Sequence, residues 1–398
     1  MKRFFLMFLF CLVNYSAFAA DPLRDYLQEQ TRYWGVEKTM STADLDMLVE
    51  LKRKADLPGL NQEERTKAYT DLFHFVQKLR GIPEGRVPGA MAAMYWSDGA
   101  SFMPPALPSA KPRQLGNFKK RGSGKVPMIL IPDIGSDWSV FDSFMQRNQT
   151  QFTFYALTLP GFSGTNPPPR PERLDFGKMK WWNNAADAVL DLMAREKMDR
   201  PVILGHQAGA YIAMKLALQH PERIRGVIVL NGLLYAVIPG MPQNATISER
   251  VSFVNRLAPA ELFPYPTPEK YFQVMMQNAS WFCKNKERQE YIARLMTVGA
   301  ARVWWNYFAE LATTDLTAEI KNLKVPMLVL PSIHDHDSPG FESSRVTLDQ
   351  WASLEPSKGS LPITIVRMED CRAYATEDQP AKLDEVIRQW TTTFKSRS

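Results

Sequence analysis

Three observations predict an α/β chain with a mostly parallel central sheet and helices on both faces. Short, largely apolar runs recur at Met128–Ile131, Phe152–Leu157, Pro201–Leu204, Gly226–Leu230, Met327–Leu330 and Pro362–Val366. Segments of helical length and period separate most of them, as strands joined by crossover helices require. The stretch Pro201–Leu230 shows both features at once. It reads as an apolar strand, a tight turn Gly205-His206-Gln207-Ala208-Gly209, a helix stopped at Pro221, and a second apolar strand.

The 398 residues are 45% hydrophobic, 11% aromatic and 23% charged, which fits one large α/β domain with additions or two domains. Residues 1–19 have the make-up of a secretory signal peptide. Lys2 and Arg3 precede an apolar run from Phe4 to Val13, and Ala17-Phe18-Ala19 forms a small-x-small cleavage site. A membrane anchor is the competing reading, but the run is short of the roughly 20 residues a span needs. Export to the periplasm or the extracellular space is therefore expected, with no integral membrane segment once the signal is removed.

Losing Lys2 and Arg3 takes two positive charges from +6 and leaves +4. No basic run is interleaved with aromatics, so no nucleic-acid partner is expected. Cys283 and Cys371 remain, without Cys-x-x-Cys or zinc spacing. Two separate buried thiols and a Cys283–Cys371 bridge both stay open, and the demands of disulfide geometry favour the thiols. No metal and no cofactor are expected.

Residues 20–90 read as a helical N-terminal extension. Ser41-Thr42-Ala43-Asp44 is a capping box for a helix reaching about Lys54, and Asn61 caps a second helix ending at Gly81. Ala68, Leu72, Phe75, Val76 and Leu79 stripe that second helix, with His74 expected to be partly buried beside them. Residues 91–125 read as loop or linker with possible first strands, and the α/β region runs from 126 to 395. Within it, helices are expected from Trp138 to Arg147, Lys178 to Glu196, Ala208 to His220 and Gln379 to Phe394.

The turn Gly205-His206-Gln207-Ala208-Gly209 resembles the nucleophile elbow of the α/β-hydrolase family, Gly-x-Ser-x-Gly. Leu159-Pro160-Gly161-Phe162-Ser163-Gly164 is similar to that family's Pro-Gly-x-Gly turn, and His220–Arg225 is a further family-like stretch. The resemblance covers roughly residues 126–395. It implies the α/β-hydrolase fold of the capped type, with a helical cap inserted after strand six at about 240–323. Cap aromatics such as Trp304, Trp305, Tyr307 and Phe308 are expected mainly to pack, with a few lining an apolar pocket.

The resemblance also assigns the catalytic positions, and most of them are altered. Gln207 stands at the nucleophile, and a carboxamide has no oxygen that a base could unmask for attack. Asp335 matches the acid. Ala373 falls at the histidine, with Arg372 beside it where the family has glycine. Ile134 and Ala208 match the two backbone N–H donors of the oxyanion hole. Asp133, next to that hole, either opposes a developing negative charge or is an ordinary turn or helix-cap aspartate. Arg372 is expected to pair with Asp335. His206 is expected to face away from the pocket, and Ser136 and Ser163 lack a recognisable base. The loop His334-Asp335-His336-Asp337 is expected to be a solvated loop keeping one old acid rather than a metal site.

The expected function is thus a secreted α/β-hydrolase-like protein without triad chemistry, whose partner is a small apolar ligand or a protein. One alternative is an esterase- or lipase-like hydrolase working through a rearranged site. Another is a structural component of an envelope assembly that docks through the helical extension.

Overall fold

The computed structural model describes residues 21, 23–24, 27–28, 31, 38–55, 57, 60, 62–79, 113–169, 175–237, 241–242, 244–256, 272, 275–276, 279–298, 301–336, 338, 340–354 and 361–394. The expected signal peptide, the Asn61 cap, the side chain of Trp305 and Asp337 lie outside the described residues.

Helices α1 (Thr42–Ala55) and α2 (Gln62–Leu79) precede the sheet and pack on each other. The capping box forms as expected. Ser41 Oγ accepts the Asp44 N–H at 3.1 Å, while Asp44 accepts the Ser41 N–H at 2.9 Å. Ala68, Leu72 and Val76 of the stripe are buried. His74 is exposed rather than partly buried, because it falls on the opposite side of the helix from those three residues.

The remainder is built on a seven-stranded sheet. Its strands are β1 (Asn117–Arg121), β2 (Val126–Ile131), β3 (Phe152–Thr158), β4 (Val202–His206), β5 (Gly226–Leu230), β6 (Met327–Leu330) and β8 (Ile363–Ile365). They lie in the order β1-β3-β2-β4-β5-β6-β8, and only β1 is antiparallel. Residues 117–121 were expected to be loop or at most a possible strand, because Asn-Phe-Lys-Lys-Arg has no apolar run. They form a strand because β3 offers an open edge. A short pair, β7 (Ser332–Ile333) and β9 (Met368–Glu369), lies beside the sheet.

Alternate residues of each central strand feed two cores. Ile129, Ile131, Ile203, Val227, Val229 and Val329 join one with helices α4 (Trp181–Arg195) and α5 (Gly209–Gln219). Met128, Leu130, Val202, Leu204, Ile228 and Leu330 join the other with α3 (Asp142–Asn148) and the C-terminal helix. Burial on both faces is why these runs read as continuously apolar. The expected helix 138–147 starts as a 3-10 turn (Trp138–Phe141), because Asp137 caps it by accepting the Ser139 N–H at 2.8 Å.

Between β5 and β6 the described residues form α6 (Ile247–Arg256), α7 (Lys286–Val298) and α8 (Ala301–Ala312). Helix α9 (Phe341–Ala352) follows β7, and α10 (Ala375–Asp378) and α11 (Pro380–Thr392) close the chain. Helix α8 is fixed to the core by an acid. Glu310, buried, accepts the N–H groups of Trp181 at 3.0 Å and Trp182 at 3.4 Å, at the open end of α4. Lys180 offers that end no side-chain cap, so the acid comes from 129 residues away. Burial pushes Glu310 up to about 7 against those two N–H bonds.

β2 has β3 on one side and β4 on the other, so the chain's direction of travel across the sheet reverses there. The loops leaving the carboxyl ends of β2 and β4 meet at that switch point, where open α/β sheets place their sites.

Candidate active site

The elbow backbone is intact. Gln207 has φ 48°, in the left-handed region that costs a side-chain-bearing residue on the order of 1 kcal/mol or more. Its N–H donates to Leu230 O at 2.8 Å, and its carbonyl accepts the Ala210 N–H at 3.0 Å. The glycines are dictated by contact. A Cβ on Gly205 would lie 2.3 Å from Ala210 Cα, and one on Gly209 would lie 2.4 Å from Pro132 O. The strained turn thus persists although its tip carries a carboxamide.

Asp133 leaves β2 directly opposite. It is buried rather than a surface turn residue, at 6% exposure, and its Oδ1 accepts the Ala208 N–H at 3.2 Å. The Ile134 N–H, next along the chain, also favours the charged form of this carboxyl. These are the two donors that the sequence resemblance assigns to an oxyanion. A carboxyl oxygen of the protein itself therefore sits on one of the groups that would stabilise a transient oxyanion. Burial outweighs both hydrogen bonds and pushes the Asp133 carboxyl up to about 7.

The histidine position holds no titratable group. Ala373 is wholly buried, its N–H donates to Trp281 O at 3.3 Å, and the Tyr374 N–H donates to Phe282 O at 2.8 Å. The segment Trp281–Phe282 is thereby laced along this loop. His206 Nε2 donates to Ala373 O at 2.8 Å, a bond that fixes its proton on Nε2 because a carbonyl only accepts. The ring packs against Tyr374 at 4.5 Å, and burial lowers His206 to about 4. It is neutral at pH 7, and its one protonated nitrogen is committed to a backbone carbonyl.

The expected Arg372–Asp335 pair is present. Arg372 Nη2 lies 3.4 Å from Asp335 Oδ2, and Nη1 donates to Ser280 O at 2.7 Å. The residue that the sequence resemblance assigns as the acid is thus held in an ion pair by Arg372. His334 Nδ1 is bonded to Ser338 Oγ at 2.9 Å. Burial, then the Arg372 charge, lower it to about 4. The His336 side chain is exposed. Among the described residues no three His, Cys, Asp or Glu side chains gather as a metal site.

Both candidate hydroxyls are structural. Ser136 Oγ donates to Asp133 O at 2.9 Å, and Ser163 Oγ to Asp137 Oδ2 at 2.5 Å. Tyr291 of α7 donates to Ser139 Oγ at 2.6 Å, and Ser139 in turn bonds Asp137, tying the inserted helices to the loop after β2. No histidine enters this chain of bonds. Cys283 and Cys371 are buried and unbridged, and burial pushes each thiol up to about 12.

Two features of the site had no reading in the sequence, the Glu310 cap and the Asp137 network. A lone acid on the apolar face of Ala301–Ala312 was the available signal for the first. The second had none, since Asp137, Ser163 and Tyr291 are far apart in the chain.

A family model described as the alpha/beta hydrolase family matches residues 128–385. The chain belongs to the alpha/beta hydrolase family. Solved structures of similar fold include a carboxylesterase of the thaumarchaeon Nitrososphaera gargenis, at 14% identity and TM-score 0.53, covering 73% of this chain and all of that one. An esterase from Exiguobacterium antarcticum aligns at 15% identity and TM-score 0.51, over 70% and 95% of the two chains. A bromoperoxidase from Bacillus anthracis does so at 11% and 0.51, over 69% and 94%. At such identities the likeness is one of fold. Among the described residues of this alpha/beta hydrolase no helix is long and apolar enough to cross a membrane.

Proposed function

We propose that this alpha/beta hydrolase family member is an exported protein without hydrolytic activity, which binds a small, largely apolar ligand or a protein partner at the site its relatives use for catalysis. The observation that carries this reading is Asp133. Its carboxyl takes the Ala208 N–H, so an attacked carbonyl would find an acceptor, negatively charged above about pH 7, in place of a donor. Gln207 and Ala373 remove the nucleophile and the base as well, and Arg372 holds the remaining acid.

Ester hydrolysis by the mature protein tests the reading, beside two variants. The natural protein is expected to be inert on chromogenic acyl esters. Gln207→Ser/Ala373→His is expected to stay at least about 100-fold below the same variant with Asp133→Gly added, since one oxyanion donor contributes about 10²–10³ in rate. Turnover by the natural sequence that a site mutation abolishes would refute the proposal. Equal rates for the two variants would show that Asp133 does not block the hole. Export is tested by N-terminal sequencing of the mature chain, with cleavage expected after Ala19.

A further inference from the structure

From this non-hydrolytic reading, on which the step rests, we infer that the site selects a ligand with a neutral head group that both donates and accepts hydrogen bonds, a primary amide or a hydroxyl, in place of an ester carbonyl. Two polar demands belong to the Gln207–Ala208 peptide and the residue it bonds. One is the Asp133 carboxylate, which binds the Ala208 N–H and forms no ion pair among the described residues. Two N–H groups leave part of its acceptor capacity open. The other is the Gln207 carboxamide, whose Nε2 is buried and has no acceptor among the described residues. A buried donor left unpaired is costly, so an acceptor there is strongly favoured.

The tip of the elbow is also the part that solvent reaches. Gln207 and Ala208 are half-buried, whereas 201–206 and 209–214 on either side are buried. Above the loop after β2 the surroundings turn apolar. A Cβ on Gly135 would lie 3.0 Å from Trp304 Cδ1 and 3.2 Å from Met296 Cγ, so side chains of α8 and α7 close directly over that loop.

These polarities discriminate among head groups. An ester carbonyl accepts from Gln207 Nε2 but meets the Asp133 negative charge. An ammonium donates to Asp133 but confronts the Nε2 donor, and a carboxylate is repelled by Asp133. A primary amide places its N–H on Asp133 and its carbonyl on Gln207, and a hydroxyl does both through one oxygen. The apolar body then rests against Trp304 and Met296.

The test is isothermal titration of the mature protein at pH 8.5 with five matched six-carbon probes: hexanamide, hexan-1-ol, hexylammonium, hexanoate and methyl hexanoate. Hexanamide and hexanol are expected to bind at least tenfold more tightly than the other three. Asp133→Asn, which swaps an acceptor oxygen for a donor, is expected to weaken hexanamide at least tenfold and to strengthen methyl hexanoate. Gln207→Leu is expected to weaken hexanamide and hexanol without favouring the ester. Thermal unfolding of each variant identifies any that fails to fold, and either variant alone suffices. Tightest binding of the ester, the ammonium or the carboxylate overturns the inference. So does unchanged hexanamide binding in a folded variant, or no binding of any probe up to its solubility. Release of methanol from methyl hexanoate would instead refute the non-hydrolytic reading, whatever the order of affinities.

Discussion

Replacing Asp133 with asparagine separates the cost of a buried charge from the geometry that holds it. The carboxyl is raised from 3.8 to about 7 by burial, with the Ala208 and Ile134 N–H groups only partly opposing the rise. A carboxyl whose folded value lies above its unfolded one stabilises the native state fully below the unfolded value. That contribution is lost as pH rises through the folded value. The interval of about 3 pH units, at 1.36 kcal/mol each, amounts to on the order of 4 kcal/mol of native stability lost by pH 8. Asparagine carries no such charge.

Its offset is separate. Oδ1 accepts one N–H while Nδ2 faces the other, a loss of about 1–2 kcal/mol that does not vary with pH. The difference between variant and natural protein should therefore move by roughly 3 kcal/mol from pH 5 to pH 8. Asp133→Asn should be close to the natural protein in stability at pH 5 and the more stable form at pH 8. Urea unfolding followed by tryptophan fluorescence at pH 5, 6, 7 and 8 measures this directly, since the chain has ten tryptophans. Curves that stay parallel over that range would refute the claim that Asp133 is an unpaired, desolvated acid.

Other outcomes follow from the same contacts. Gly209→Val should lower stability by about 3 kcal/mol or more in thermal or urea unfolding, because the new side chain meets Pro132 O, a backbone atom that cannot step aside. Glu310→Ala should cost roughly 3 kcal/mol by stranding the Trp181 and Trp182 N–H groups, and limited proteolysis should cut between 240 and 323 sooner. Glu310→Gln keeps an acceptor and should cost less. It should also remove the stability that the acid, raised from 4.5 to about 7, loses as pH climbs through that interval. Cys283 and Cys371 should resist alkylation in the native protein, and both should react once it is denatured without reductant.

The sheet and elbow were legible in the sequence because their constraints are local. Gly205 and Gly209 are required by backbone contacts within a few residues or one strand away, and the apolar runs by burial on both faces. The assignment of Gln207 and Ala373 to the nucleophile and histidine positions rests on local motif position in the same way. The Arg372–Asp335 pair was legible through chemistry, because an acid deprived of its histidine needs another partner.

Asp133 was legible only as one of two alternatives, beside the oxyanion donors or in an ordinary turn. Its residue type fits a turn or a helix cap equally well, and only the approach of β4 to β2 decides that its carboxylate reaches the Ala208 N–H. Strand β1 was hidden for a related reason, as its pairing comes from the neighbour rather than from its own residues. The Glu310 cap joins parts of the chain 129 residues apart, a distance no local pattern spans.

Strand β1 carries a consequence for how this protein behaves in a crowd. Among the described residues it is one of the two rims of the sheet, and a rim offers unpaired backbone groups to any extended chain that drifts past. Here that rim is written Asn-Phe-Lys-Lys-Arg. Lys120 is drawn to Glu196 at 3.1 Å and Arg121 to Asp142 at 2.9 Å, while Lys119 reaches over the Trp138 ring. A second copy approaching in register would bring its own three cations against these. The opposite rim, β8, is three residues long and gives little to grip. Like charge at one border and brevity at the other keep a sheet this rich in valine, isoleucine and leucine from growing beyond its own seven strands.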